Sequence, residues 1–183
     1  MVKKSWEKKV DNKGFTLVEL IVVLVILAIL AAILVPALLG YIDRARGSQI
    51  LLNGKSVLTA AQAEASNAYG TAGTKEDGTS QTIADIFDDT KKGIPQKIAT
   101  TADLPVGASF VIAMAADPKE ASSEYHSSWT VKEVYYQQDG KAAYFDGTSW
   151  EEGLDPSVSG QASSDKIKAS KTYTYTVPAK SGD

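Results

Sequence analysis

Apolar residues run without a charged interruption from Leu20 to Ile42. Coiled as a helix, the run would be about 35 Å long, enough to cross a hydrocarbon core of ~30 Å. Leu, Ile, Val and Ala occupy all sides of it, the pattern of a helix surrounded by lipid or by other apolar helices. Pro36 falls inside the run and removes one backbone hydrogen bond. It predicts a kink or local loosening between about Ala32 and Pro36, tolerated where neighbouring helices satisfy the freed groups.

Beyond Ile42 the period becomes amphipathic. Ile50, Gly54, Val57, Ala61, Ala65 and Ala68 share one helical face, with Gln49, Asn53, Ser56, Gln62 and Ser66 largely elsewhere. Gly70 fits a C-terminal cap. The pattern predicts one long helix from about Phe15 to Tyr69. Gly40, Gly47, Gly54, Ala61 and Ala68 recur every seven residues along it. Such a stripe reads as close approach by another element or built-in curvature, or equally as chance in an Ala-rich segment.

Residues 70–80 read as a loop, and Thr82 to Lys92 as a short helix closed by Gly93, with Pro95 blocking continuation. From there the period is that of strands: Ala108–Ala115, Trp129–Gln137, Lys141–Phe145, Thr148–Glu151 and Lys171–Val177. In the second of these, strict alternation puts Val131, Glu133 and Tyr135 on one side and Lys132, Val134 and Tyr136 on the other. Asp139-Gly140 and Asp146-Gly147 are hairpin signals, and residues 153–166 are polar and loop-like. The fold class predicted is α+β, a long N-terminal helix whose second half packs on an antiparallel sheet of four or five strands.

Charge orients this chain. Residues 1–14 hold five lysines against Glu7 and Asp11, a net +3 within a total of −3. Asp43, Arg44 and Arg46 beyond the span net +1. The imbalance favours an N-terminus inside and the bulk of the chain outside. The basic tract lies beside an apolar span, not on a folded domain, so no nucleic-acid partner is expected. Cysteine is absent and His126 is the one histidine, which excludes a disulfide framework, thiol catalysis and sulfur-ligated metal sites. No G-x-S-x-G elbow or phosphate loop occurs, and the two Asp-Gly pairs lack calcium-loop spacing. No enzyme, metal or cofactor is expected. His126 reads as a solvated loop residue, and Tyr135, Tyr136, Tyr144, Tyr173 and Tyr175 as sheet packing.

One residue resists this account. Glu19 places a carboxylate at the edge of the apolar span, where a charge is costly without a partner. An ordinary secretory signal with a cut near Ala28–Ala32 would not carry it, and its apolar run would end sooner.

Lys13-Gly14-Phe15-Thr16-Leu17-Val18-Glu19, preceded by a basic leader and followed by the span, resembles the N-terminal motif of type IV prepilins and their relatives, the type II secretion pseudopilins and competence pilins. The likeness covers about the first third of the chain. It implies a leader at 1–14, cut after Gly14 by a membrane-embedded prepilin peptidase. It implies N-methylation of Phe15, and pairing of Glu19 with the Phe15 amine of a neighbouring subunit. Residues 15–42 would then be first a membrane anchor and later the filament core, and 43–183 the globular domain. The implied function is a structural subunit of a type IV pilus, with copies of itself, the membrane, and an assembly platform and its ATPases as partners. The alternatives are a pseudopilin of a secretion or competence system, and a membrane-anchored domain that does not polymerise. Ala28 stands where many relatives carry a glycine before the helix proline, and the disulfide many relatives have is absent, as in Gram-positive type IV pilins.

Overall fold

The computed structural model describes residues 14–71, 93–114, 130–168 and 172–179. The expected leader, the 82–92 helix and His126 lie outside these residues. Two compact units are distinguished, Met1–Asp43 and Arg44–Asp183.

Helix α1 runs from Leu17 to Thr71 and stays helical across Pro36. In the first unit every Leu, Ile and Val from Leu17 to Ile42 is exposed. This part of α1 is long and apolar enough to cross a membrane. An apolar surface of that extent on a helix is a surface made for lipid or for other helices.

The second unit contains the rest of α1, helix α2 (Ile94–Thr101), strands β1 (Ser109–Met114), β2 (Val131–Gln138), β3 (Lys141–Phe145) and β4 (Trp150–Leu154), a single-turn helix α3 (Ser163–Lys166) and strand β5 (Thr172–Thr176). The strands form one antiparallel sheet in the order β4-β3-β2-β1-β5. The fold is α+β and type IV pilin-like. Ile50, Gly54, Val57, Ala61, Ala65 and Ala68 are all buried, as their spacing requires. They join a core with Phe110, Ile112, Met114, Val134 and Tyr136 from the sheet. The expected tyrosine packing holds: Tyr135, Tyr136, Tyr144 and Tyr173 are buried.

Three departures from the sequence pattern have local causes. First, Ile94–Thr101 is helical, where only a break at Pro95 was expected. A proline in the first turn of a helix has no hydrogen bond to lose, so Pro95 starts α2 and does not end a helix. Gly93 enters it in the left-handed conformation at φ 56°, and Ile94, Ile98 and Ala99 are buried. Second, β2 does not alternate strictly. Glu133 pairs with Ala113 but Val131 pairs with Met114, so Lys132 is an extra residue. This bulge turns Val131 to the helix-facing core, beside Val134 and Tyr136. Third, β4 begins at Trp150 and not at Thr148, because the Asp146 turn occupies the residues before it. It then runs on to Leu154 through a second irregularity at Gly153, whose φ is 74°.

The 153–166 segment is more than a loop. It lies over the other face of the sheet, where Tyr135, Ala142, Tyr144 and Leu154 form a second buried cluster with Ile167 against it. The Tyr135 hydroxyl donates to the Gln161 carbonyl at 2.8 Å, and Tyr144 donates to Glu133. Lys166 reaches Glu151 at 2.7 Å. Burial, with Asp155 and Asp165 nearby, pushes the Tyr135 hydroxyl up to about 12, so it stays a neutral donor. Burial and the Glu133 carboxylate push Tyr144 up as well. On the far side of β1, strand β5 pairs through Ser109–Ala113, and Val177 extends the pairing with bonds to Gly107 and Ala108. That ladder holds the C-terminal strand in a chain without cysteine.

Polar residues of α1 also fix the sheet's register. Asn53 donates to the Tyr136 hydroxyl (3.1 Å) and to Gln138 (3.2 Å), while Tyr136 donates to Gln138 (2.7 Å). The Gln62 side-chain carbonyl accepts the Val131 backbone N–H at 2.9 Å, at the bulge where the ladder is disrupted. Replacing Gln62 by Met keeps the volume and strands that N–H. The expected loss is about 1–2 kcal/mol, read as a lower urea midpoint with unchanged slope.

Candidate functional site

Gly14, Phe15 and Thr16 precede the first helical turn in non-helical backbone. Phe15 is 89% exposed, and open space surrounds Gly14. The peptide bond between them is therefore outside the helix and open to an enzyme.

Thr16 and Glu19 form a reciprocal pair. The Thr16 backbone N–H and hydroxyl donate to Glu19 Oε2, at 2.9 and 2.7 Å. The Glu19 backbone N–H donates to Thr16 Oγ1 at 3.3 Å. This is a capping box: each side chain satisfies a backbone donor that a helix start leaves without a partner. The carboxylate also sits where the positive end of the helix dipole favours it. Both hydrogen bonds to Glu19 go to Oε2. A carboxylate offers about four acceptor positions, so a further donor can still be accommodated.

The partner of Glu19 in this structure is Thr16, where the resemblance implies the amine of Phe15. The signal was present as Thr16-Leu17-Val18-Glu19, the Thr-x-x-Glu spacing before an apolar run. In the uncut chain the Phe15 nitrogen is a peptide amide and carries no charge. Glu19 is held by Thr16 in that state, and cleavage would create the charged amine. Pro36 is remote from this group, in the exposed apolar part of α1.

Residues 10–35 match the family model of the prokaryotic N-terminal methylation motif. The chain carries a type IV prepilin-like signal peptide. No curated protein and no solved structure matches it. The matched residues contain Gly14, Phe15, Thr16 and Glu19, so the prepilin motif and the capping box are one stretch of chain. A prepilin motif implies processing by a prepilin peptidase and self-assembly. An apolar helix immediately behind it fits a membrane-anchored protein that is later assembled.

The two Asp-Gly pairs are turns. Asp139 and Gly140 both have positive φ, 50° and 73°, as a two-residue hairpin of the primed type requires. Asp146 Oδ1 accepts the backbone N–H of Thr148 (2.8 Å) and of Ser149 (2.7 Å). These bonds, that to Ser149 foremost, hold its carboxyl below the ordinary value of 3.8. A carboxyl lowered in the folded state adds stability above its unfolded pKa and loses it as pH falls through the folded one. Asp146→Asn should therefore be less stable than the parent at neutral pH. The gap in urea midpoint should narrow on acidification below about pH 4.

Proposed function

We propose that this prepilin is a structural subunit of a type IV pilus. It is inserted with its N-terminus inside, cleaved after Gly14 and N-methylated at Phe15. It is then drawn from the bilayer into a filament on the outer side of the cell. Its role is structural and not catalytic. Its partners are further copies of the chain, the prepilin peptidase, and an assembly platform driven by ATPases.

The observation that carries this reading is the union of the methylation motif with a helix whose apolar surface is exposed on every side. Such a helix has two ways to be covered. Lipid covers it before assembly, and the same segment of other copies covers it afterwards. Glu19 adds register. In the apolar environment formed by packed helices, a carboxylate needs an opposite charge, and the Phe15 amine of a neighbour supplies it. Pro36 supports exchange between environments, since it leaves the Ala32 carbonyl without its helical donor and softens α1 there.

Mass spectrometry of the mature chain tests the processing step. The expected species begins at methylated Phe15, and a chain that retains Met1 or begins near Ala32 overturns the reading. Electron microscopy and sizing of sheared extracellular material test the polymer. Long filaments of this chain support a pilus. A short, cell-bound assembly would indicate a pseudopilin instead.

A further inference from the structure

Strand β5 is one edge of the sheet, with β1 on its inner side and no strand beyond it among the described residues. The two edges of the sheet differ. β4 carries the exposed carboxylates Glu151 and Glu152, and its ladder is irregular at Gly153. Charge and irregularity of that kind stop a second chain from adding to an edge. β5 has neither device. Thr172–Thr176 pairs with β1 without a register shift and holds no charge, glycine or proline.

The ladder fixes which backbone groups of β5 are open. The Val177 N–H donates to the Ala108 carbonyl at 2.8 Å. Backbone direction alternates along a strand, so Tyr175 and Tyr173 also bond towards β1. Thr172, Thr174 and Thr176 turn their N–H and C=O groups outwards, and all three residues are exposed. Tyr173 and Tyr175 pack on the helix-facing core, so the threonine side chains lie on the other face.

The sequence Thr-Tyr-Thr-Tyr-Thr reads the same in both directions. Two copies laid antiparallel about Thr174 therefore match at every position. Thr172 of each meets Thr176 of the other, Tyr173 meets Tyr175, and Thr174 meets itself. In this register the residues with outward groups stand opposite one another, as hydrogen-bonded pairs require. A slip of one residue would set each outward N–H against a residue whose groups β1 already uses. Thr–Thr and Tyr–Tyr are favourable cross-strand pairs, and no like charges meet.

We propose that the β5 edge is a two-fold pairing surface for β5 of a second copy of this chain. The contact is isologous: the same patch serves both copies, and it closes in pairs. A strand of 5 residues on each side is small beside the ~1,200 Å² that a stable complex buries. The pairing is therefore weak between single copies, and copies held side by side in a polymer strengthen it through effective concentration. The surface belongs to the globular unit alone and does not depend on the pilus reading.

The test uses the full chain in mild detergent. It has no cysteine of its own, so one introduced thiol reports one position. In the proposed register the two Thr174 Cα atoms are ~5.5 Å apart, within reach of a disulfide. The two Thr172 positions are about 14 Å apart along the strand, out of reach. Thr174→Cys should therefore cross-link on mild oxidation at least about tenfold faster than Thr172→Cys. A mixture of Thr172→Cys and Thr176→Cys chains should give the mixed dimer. Adding Thr174→Lys to both chains of that mixture sets like charges face to face and should lower the yield about threefold. Thr174→Lys in one chain and Thr174→Glu in the other should restore it. Equal cross-linking of all the single-thiol chains reports random collision and overturns the pairing. A yield that Thr174→Lys leaves unchanged overturns it as well. No cross-link from Thr174→Cys overturns a second copy as the occupant of this edge.

Discussion

Glu19→Gln is expected to yield a chain that is cut after Gly14 and remains in the membrane, with filament output reduced at least about tenfold. The substitution separates two roles of one side chain. A glutamine at this position keeps an oxygen that can accept the Thr16 N–H, so the capping box and the helix start survive. The negative charge is lost, and with it the attraction for a neighbour's amine. Glu19→Ala removes both and should assemble no better. Thr16→Val removes the hydroxyl from Glu19 Oε2 but leaves the backbone donor in place. It should fray the first turn and reduce assembly less than either change at Glu19. Mass spectrometry of the membrane fraction and quantitation of sheared filaments read the two steps separately. Normal filament output from Glu19→Gln would remove the charge pair from the assembly mechanism. Loss of cleavage in that variant would instead move Glu19 to the processing step.

Gly54→Leu should destabilise the sheet-facing side of α1 by overpacking. A Cβ at position 54 would lie 2.8 and 3.0 Å from two carbons of the Trp150 ring, and 3.6 Å from Tyr136 Cβ. The indole edge is the mobile end of its side chain, but it is not free to swing. Phe145 packs on it with ring centroids 5.2 Å apart. A leucine forces the ring off α1 and drives the helix from the β2–β3–β4 part of the sheet. Overpacking of this kind costs about 3 kcal/mol at its upper end, and replacing a helical glycine returns up to ~1 kcal/mol. A net loss of about 2 kcal/mol is expected from urea unfolding followed by Trp fluorescence. Gly54→Ala sets the smallest clash against the same helical gain and should fall near zero. A leucine variant as stable as the parent would show that Trp150 yields without cost.

These two residues also show what the chain makes legible before any coordinates. The small-residue stripe offered two readings, close approach or chance. Gly54, Ala61 and Ala68 are buried against the core, and Gly54 is met directly by Trp150. Gly40 and Gly47 have open space around them. The heptad spacing is the same for all five, so period alone could not separate them. What separates them is which part of α1 has a sheet beside it. The helix face and the hairpins were readable because burial follows a 3.6-residue period and Asp-Gly fixes a turn. The β2 bulge was not, because one extra residue at Lys132 reverses the faces and leaves no mark in the alternation until its partner strand is known. The cover supplied by residues 155–167 was hidden for a different reason. Its anchors are the Gln161 carbonyl, Lys166 and Ile167, and together they carry no periodic signal. At the candidate site, Glu19 was conspicuous by charge, whereas Thr16 is ordinary by composition and gains its role only from spacing.

The Asp146 turn has a bearing on chemical ageing. An aspartate followed by glycine is prone to cyclise: the glycine nitrogen attacks the side-chain carboxyl, water leaves, and hydrolysis of the succinimide reopens the chain with an extra methylene in its backbone. The reaction proceeds through the protonated acid and needs the side chain to swing towards the next peptide nitrogen. Here the carboxyl is kept ionised and is tied instead to the N–H groups of Thr148 and Ser149. In the pilus proposed above, a subunit locked into a polymer outside the cell would have no access to cytoplasmic repair enzymes. The bonds that shape this hairpin thus also slow its ageing.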